Sequence, residues 1–384
     1  MDNKDVMFCL LRNEIKAEAL PDKIEYDVKA LYELSKRHDL AHLIADALIK
    51  NAIVAADSPY YSRLQKEKLL AVYRVEQFNF ELKRICDVFE KEKIPFIPLK
   101  GSVLREYYPE TWMRTSCDID ILVHEDDLER ATVLLTRELS YTCKGNGGHD
   151  IQFYSSNGIH LELHYSLIEE ELYSKIDKPL ESVWEYSLNK EKNSYRYSMT
   201  DEMFYYYHVA HMAKHFVNGG CGIRPFIDLW ILNGRFNFDL EKKQQLFTNG
   251  GLTEFERYAT ELSGVWFDDK QSDDFLNRMQ KYIVFGGVYG NTENRVAANQ
   301  SKKGGKFGYI MSRIFMPYSI LKFQYPILQK HKILFPFMEV ARWFRIIFRT
   351  NGGIKQSVNE INTNNNISPE KVYETADMMQ KLGL

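Results

Sequence analysis

Asp118 and Asp120 lie two positions apart at the start of an apolar segment that ends at Val123. Side chains on a β-strand alternate between its two faces, so both carboxylates should lie on one face while Ile119 and Ile121 point into the core. Carboxylates so close together repel each other unless a cation lies between them. Because Mg²⁺ binds proteins through one or two carboxylates together with substrate phosphates, this spacing predicts a magnesium site.

The same alternation recurs in the segment His160-Leu-Glu-Leu-His164, where Glu162 lies between two leucines. Glu162 is therefore a candidate third carboxylate of one cluster with Asp118 and Asp120. A bare Asp-x-Asp pattern more often marks a solvated strand edge. Here the apolar flanks favour a buried central strand, in which unpaired acids would have no structural purpose.

A turn between a strand and a helix precedes the aspartates. Residues 94–99 are apolar and contain two prolines, which is typical of a strand at a sheet edge. Gly101 and Ser102 follow, and backbone N–H groups and a hydroxyl at the start of a helix suit a phosphate. Lys100 and Arg114 would neutralise the phosphate charge. The alternative is that the glycine serves only the turn.

These residues together resemble a known family. Gly101-Ser102, fifteen intervening residues, Asp118-Ile-Asp120 and a later apolar-Glu-apolar strand are similar to the hallmark pattern of nucleotidyltransferases related to DNA polymerase beta. More closely, the chain resembles a bacterial uncharacterised nucleotidyltransferase family, through Leu99-Lys-Gly101, Arg114, Cys117-Asp-Ile-Asp-Ile-Leu-Val123 and Leu163-His164. The resemblance covers roughly residues 93–235.

The resemblance implies an α+β fold, in which a small mixed β-sheet forms the core and helical regions flank it. It also implies two Mg²⁺ ions held by Asp118, Asp120 and Glu162, and an NTP such as ATP held at the Gly101-Ser102 turn. The reaction implied is transfer of an NMP to a hydroxyl-bearing acceptor with release of pyrophosphate. A sugar, a small alcohol, an RNA end and a protein hydroxyl all remain candidate acceptors.

The chain departs from compact members of the superfamily at two points. Its gap between Ser102 and Asp118 is longer, and its third acid is Glu rather than Asp. A catalytically silent nucleotide-binding or regulatory protein is the alternative, including a toxin–antitoxin-type component with the same fold. The three retained acids favour the enzyme, because a silent protein has no need to keep buried acids unpaired.

A second polar set lies on a predicted helix. His208, His211 and His215 are spaced i, i+3 and i+7, so they share one face. A zinc site is disfavoured because no acid has a matching spacing. One interpretation is packing among the neighbouring aromatic residues. The other is that this face lines the cleft, which makes His211 and His215, with His164, candidate substrate contacts.

Arg224 and Asp228 are four residues apart in a glycine-rich segment followed by a predicted helix. That spacing allows a structural ion pair between the two side chains. In the functional alternative, Arg224 contacts phosphate or acceptor, and both residues belong to the site.

The hydrophobic pattern divides the chain into four predicted regions. These are a helical region (1–92), a nucleotidyltransferase core (93–198), a helical region lining the cleft (199–290) and a helical, basic-aromatic region (291–384). Within the core we expect a turn at residues 144–149 and a hairpin of residues 151–155 and 160–164, after which strands stop. Residues 286–305, rich in Gly, Asn and Ser, are expected to form a linker or mobile loop.

The composition predicts a cytoplasmic protein. Five cysteines without a Cys-x-x-Cys pair argue against a disulfide framework, and no segment resembles a secretory signal or a membrane span. The net charge of -3 does not favour nucleic acid as a partner. Residues 306–350, however, are basic and aromatic. Packing on the core is the favoured interpretation of this region, peripheral membrane contact comes second, and a nucleic-acid surface is a third.

Overall fold

The computed structural model describes residues 2–168, 174–189, 191–348 and 353–384. Within these residues a five-stranded mixed sheet carries the two aspartates, as expected for an α+β fold. Its strands are β1 (Phe96–Pro98), β2 (Asp118–Val123), β3 (Thr142–Asn146), β4 (Asp150–Tyr154) and β5 (His160–His164). The spatial order is β1-β2-β5-β4-β3, with β2 and β5 parallel and the other neighbours antiparallel. The proline-containing strand therefore lies at an edge, and the aspartate strand is internal.

The two faces of the sheet have different partners. Ile119 and Ile121 join an apolar cluster with residues of α4 (Tyr61–Lys91) and α6 (Leu128–Arg137). The alternate side chains of β2 point to the opposite face, where Leu122 belongs to the larger apolar cluster that includes α7 (Asp201–Val217). The period of two along β2 thus places apolar residues against α4 and α6 and leaves the aspartates facing α7.

Helices precede and follow the sheet. Before it come α1 (Asn3–Lys16), α2 (Val28–Arg37), α3 (Ala41–Lys50) and α4, and the short α5 (Gly101–Leu104) lies between β1 and β2. After it, α7 is followed by α8 (Arg224–Arg235), α9 (Leu240–Gly250), α10 (Thr253–Phe267) and α11 (Asp274–Gly286). One apolar cluster contains side chains from α1 to α3 and from α7 to α11. The four domain boundaries stay predictions.

The C-terminal part is also helical. It comprises α12 (Thr292–Lys302), α13 (Gly305–Ile314), α14 (Tyr318–Gln324), α15 (Ile327–Lys330), α16 (Phe335–Phe348), α17 (Gly353–Asn366) and α18 (Pro369–Lys381). Helix α12 packs against α17 and α18. None of the helices in the described ranges is long and apolar enough to span a bilayer.

Two expectations about the strands are wrong. Half of the turn predicted at residues 144–149, up to Asn146, belongs to β3, which pairs with β4 through a register shift between Cys143 and Gly145. Strands also do not stop at His164, because β6 (Ser187–Asn189) and β7 (Tyr197–Met199) form an antiparallel pair. Strand predictions depend on the alternation of apolar and polar residues. The register shift interrupts this alternation in β3, and β6 and β7 are too short and polar to show it.

The linker predicted at residues 286–305 is also wrong. Helix α12 occupies most of it, and its first turn is capped by Asn291, whose side chain accepts from the Asn294 N–H at 2.7 Å. The glycines mark a close backbone approach instead. A Cβ on Gly290 would lie 2.6 Å from the Gly219 carbonyl carbon, and one on Gly286 would lie 2.7 Å from the Gly219 oxygen.

Packing of the basic-aromatic region is only partly as expected. Tyr309 and Leu328 are buried. In contrast, Phe307, Ile333 and Phe337 are largely exposed. Aromatic and aliphatic residues at helical spacing therefore do not all indicate core in this part of the chain.

Candidate active site

The pairing of β2 with β5 brings the three predicted carboxylates together. Asp120 lies opposite Glu162, and Asp118 lies opposite His160. Ligand atoms of Asp118, His160 and Glu162 all lie within 4.8 Å of one another, and so do those of Asp120, Glu162 and His164. One face of two adjacent strands thus presents three carboxylates and two imidazoles.

Asp120 is buried and has two nitrogen partners, a lysine and a histidine. The Lys100 Nζ donates to its Oδ1 at 2.9 Å, and the His164 Nε2 contacts the same oxygen at 3.0 Å. Burial alone would raise the pKa of Asp120, but the Lys100 ammonium and His164 hold it well below its usual range. Burial would lower the pKa of His164, yet its hydrogen bonds to Asp120 and Glu162 raise that pKa. Asp120 is therefore ionised, and its two partners favour that state.

Asp118 is in the opposite situation. Burial, and then the negative charge of Asp120, raises its pKa to about 6. Glu162 adds a third carboxylate that raises the pKa further, whereas the Lys100 ammonium and then His160 lower it. The cluster is thus incompletely neutralised, and its oxygen-rich donor set fits a hard divalent cation such as Mg²⁺ or Mn²⁺.

Lys100 reaches Asp120 from a strained backbone. Its φ of 44° lies in the left-handed region that favours glycine. Such a conformation costs about 1–3 kcal/mol at a non-glycine residue and is concentrated at functional sites. A glycine would adopt this backbone conformation without strain, but it would provide no ammonium group for Asp120.

The Gly101-Ser102 turn differs from the expectation in detail. A Cβ on Gly101 would lie 2.8 Å from the Ser116 Cβ, so close approach to the segment before β2 explains this glycine. Ser102 is buried and does not line the cleft, and its N–H donates to the Leu99 oxygen at 3.1 Å. Gly101 and Ser116 line the cleft, and phosphate contact by Ser102 stays a prediction.

Arg114 lines the same cleft but is already engaged by Asp228. Its Nε and Nη2 donate to the two oxygens of Asp228 at 2.7 and 2.9 Å, and its Nη1 donates to the Thr115 oxygen at 2.6 Å. The Tyr108 hydroxyl donates to Asp228 at 2.7 Å. Burial favours a higher pKa for Asp228, but the Arg114 charge lowers it below its usual value. Contact of Arg114 with a substrate phosphate stays a prediction.

The predicted ion pair between Arg224 and Asp228 is wrong. Arg224 instead pairs with Asp39 and donates to the Thr115 oxygen at 3.3 Å. Although Arg224 and Asp228 are four residues apart at the start of α8, the Asp228 carboxylate accepts from Arg114 and not from Arg224. Arg224 lines the cleft, so its contact with phosphate or acceptor stays open as a prediction.

The histidines of α7 line the cleft, as one interpretation expected. His208 contacts the Pro225 oxygen through its Nε2 at 2.9 Å, while the Nε2 atoms of His211 and His215 lie 3.1 Å apart. Burial and the nearby Lys100 charge lower the pKa of His211 well below its usual value, so it is neutral. The potential metal groups among the described residues do not include these three histidines.

Two cavities meet at the carboxylates. The larger, of about 320 Å³, extends along α7 and α8 and includes Asp118 and Tyr289 in its lining. The smaller, of about 180 Å³, includes His164 and Lys214. Residues shared by both linings are Lys100, Glu162, Tyr207 and His211. A group bound in either cavity would therefore lie next to the same charged cluster.

Sequence reasoning missed several residues of the site. His160 carried a signal, because alternation along β5 places it on the same face as Glu162 and His164. Tyr207 and Tyr108 carried none. Tyr207 lies in an aromatic run typical of core, and the partner of Tyr108 is 120 positions away in the chain.

Comparison with known proteins gives one match. The model of a family described as uncharacterised nucleotidyltransferase matches residues 25–268, which adds most of the N-terminal helical region and α9 and α10 to the expected range. No curated protein and no solved structure matches the chain significantly. The match spans more than half of the chain and contains the whole carboxylate cluster. The chain therefore belongs to the uncharacterised nucleotidyltransferase family.

Proposed function

We propose that this protein is a Mg²⁺-dependent enzyme that transfers an NMP from an NTP to a hydroxyl-bearing acceptor and releases pyrophosphate. The observation that carries the proposal is the pairing of β2 with β5, which places Asp118 and Asp120 beside Glu162, a residue that lines both cavities. A transferase must hold two substrates next to one catalytic centre, and this arrangement provides for both. Family membership supports nucleotidyl transfer in general.

Asp118, Asp120 and Glu162 are the residues proposed to hold the two Mg²⁺ ions. When bound there, Mg²⁺ supplies charge stabilisation for the attacking and leaving oxygens of an in-line displacement. The acceptor oxygen attacks the α-phosphorus of the NTP, a new P–O bond forms, and the bond to the β-phosphate bridging oxygen breaks. Pyrophosphate takes the electron pair of that bond. Glu162 is proposed to accept the proton that the acceptor hydroxyl loses.

Lys100 has a proposed role in both states of the site. Without substrate, its ammonium neutralises Asp120 at 2.9 Å. With the triphosphate bound, the same ammonium is free to turn to the phosphate oxygens beside Gly101. Arg114 is proposed to act differently: held by Asp228, it positions the cleft wall, and its phosphate contact is secondary.

The larger cavity is the proposed NTP site and the smaller one the acceptor site. The larger includes Gly101, Arg224 and apolar Phe204 and Met212, a mixture that suits phosphates and a base. The smaller is lined by His149, His164 and Lys214 among others, and suits a small polar group. NTPs and five free thiols are both consistent with the cytoplasm as the proposed compartment.

The experiment that tests this proposal follows label and pyrophosphate together. The protein is incubated with each α-labelled NTP, MgCl₂ and a pool of small-molecule, RNA and protein acceptors. Stoichiometric pyrophosphate release and labelled acceptor support transfer. The silent alternative is favoured by one observation, the Lys100 cation already on Asp120, and it predicts NTP binding by calorimetry without pyrophosphate release from any NTP.

A further inference from the structure

The segment around α16 exposes an apolar stripe. Ile333, in the turn before the helix, and Phe337 and Val340, within it, are spaced i, i+4 and i+7, so they follow one helical face. Their exposed fractions are 84%, 67% and 54%. Large apolar side chains grouped on a helical face usually mark an interaction surface.

The charges of this segment have one sign. Glu339 is the only acidic residue between Glu293 and Glu360 in the sequence. It is buried and accepts from the Met316 N–H at 2.7 Å and the Arg342 Nε at 2.9 Å. Lys330 and Lys332, in contrast, are exposed just before the stripe. The surface therefore presents cations beside apolar groups, with its single acid turned inward.

Interior contacts fix the helix that carries the stripe. The Arg342 Nη2 donates to the Ile314 oxygen at 2.6 Å, and the Trp343 Nε1 donates to the same oxygen at 3.2 Å. Through these hydrogen bonds the inner face of α16 is attached to the end of α13. The stripe is thus the outer face of a helix that is held in place.

We propose that this face binds an anionic lipid surface as a peripheral membrane contact, separate from nucleotidyl transfer. An amphipathic helix with aromatic and aliphatic residues beside lysines binds such surfaces by burying its apolar face at the headgroup boundary. Each lysine near an anionic surface adds to the attraction.

Other occupants fit less well. A second copy of this face would offer Lys330 and Lys332 no exposed carboxylate, because Glu339 is buried, so the pairing would lack charge complementarity. Single-stranded nucleic acid would find few rings to stack on, because Ile333 and Val340 are aliphatic. Charge and shape together therefore favour lipid.

The test uses the full-length protein in co-sedimentation with two kinds of vesicle, phosphatidylcholine alone and an equal mixture with phosphatidylglycerol. We expect binding to the mixed vesicles that weakens with salt and little binding to phosphatidylcholine. The variants Ile333→Ser with Phe337→Ser, and Lys330→Ser with Lys332→Ser, should each weaken binding about tenfold. A matched control, Leu69→Ser with Phe80→Ser, removes exposed apolar residues of α4 and should bind like the wild type.

Several outcomes would overturn the proposal. They are absence of wild-type binding to mixed vesicles at low salt, equal binding by the wild type and the folded stripe variant, and binding of a single-stranded oligonucleotide without vesicle binding. Thermal unfolding verifies that each variant is folded. If the stripe variant is not, the lysine variant and the salt dependence of the wild type decide the question.

Discussion

Asp120 and Asp228 are both buried aspartates, yet their surroundings differ. Asp228 accepts from two guanidinium nitrogens of Arg114 and from the Tyr108 hydroxyl, which occupy both of its oxygens. Asp120 has Lys100 and His164 on a single oxygen, and two more carboxylates stand beside it. The first cluster is closed, with one acid and one base. The second holds three acids around one lysine and two histidines.

We infer from this difference that Asp228 belongs to a structural ion pair, whereas Asp120 belongs to a site that attracts an external cation. A buried aspartate whose oxygens are saturated by fixed donors contributes to the architecture, and breaking it leaves an unpaired buried charge. A cluster with excess negative charge is stabilised when a cation arrives. We name these the closed cluster (Asp228, Arg114, Tyr108) and the open cluster (Asp118, Asp120 and Glu162 with Lys100, His160 and His164).

The largest expected effect comes from removing one charge of the open cluster. Asp120→Asn should lower the rate of labelled-nucleotide transfer by about a thousandfold or more, because an amide does not replace a carboxylate as a cation ligand. Asp126→Asn, at an exposed acid just after β2, is the matched control and should keep the wild-type rate. Transfer by Asp120→Asn at the control rate would contradict the assignment.

The closed cluster should respond in stability. Asp228→Asn removes the counter-charge of buried Arg114 and should lower the free energy of unfolding by about 3 kcal/mol or more. Urea denaturation at pH 7 measures this, with Asp118→Asn as the comparison, for which no loss is expected because the repulsion between Asp118 and Asp120 is relieved. Equal losses in the two variants would remove the distinction between the clusters.

The pH dependence of stability should have opposite signs for Asp118 and Asp228. Burial raises the pKa of Asp118 from 3.8 to about 6, so the folded state binds more protons than the unfolded state between these values. Wild-type stability without divalent cations therefore loses this contribution as pH rises through that window. For Asp228 the pKa is lowered, so its contribution is present above 3.8 and is lost as pH falls through the folded pKa.

Asp118→Asn isolates the contribution of Asp118 to this pH dependence. In EDTA at pH 7 the variant should be more stable than the wild type by about 1–2 kcal/mol, and the difference should vanish below pH 3.8. Urea denaturation at several pH values measures it. A variant less stable than the wild type at pH 7 would show that burial and the neighbouring carboxylates do not destabilise the ionised form of Asp118.

The smallest expected effect concerns Lys100. Lys100→Met removes the cation that neutralises Asp120, so Mn²⁺ should bind about tenfold more tightly to the variant. Isothermal titration calorimetry measures the affinity, and Lys214→Met, which removes a lysine paired with Asp177, is the matched control. An unchanged or weaker affinity in Lys100→Met would mean that the lysine does not compete with the metal.

The open cluster was largely predictable from the sequence, and the closed one was not. Alternation along β2 and β5 is a local property, so it places Asp118, Asp120 and Glu162 on one face once the strands pair. Arg114 and Asp228 are 114 positions apart, and local spacing paired Asp228 with Arg224 instead. Only tertiary contacts choose between partners of equal charge.

The rest of the fold shows the same limit. The composition around Gly286 and Gly290 predicts a linker, although these glycines permit close contact with Gly219, which is far away in the chain. The exposed Ile333 and Phe337 have the spacing of core residues, and their exposure depends on which helices pack beside α16. Composition and spacing describe a residue's capacity for burial, and packing decides whether it is buried.

The most direct test of the central claim is calorimetric titration of Mn²⁺ into EDTA-stripped wild-type protein and into Asp120→Asn. Thermal unfolding of both shows that the variant is folded. We predict saturable binding to the wild type and affinity at least about a hundredfold lower in Asp120→Asn. Absence of binding to the wild type, or equal affinity in the two proteins, would contradict the claim that the open cluster is a divalent-cation site.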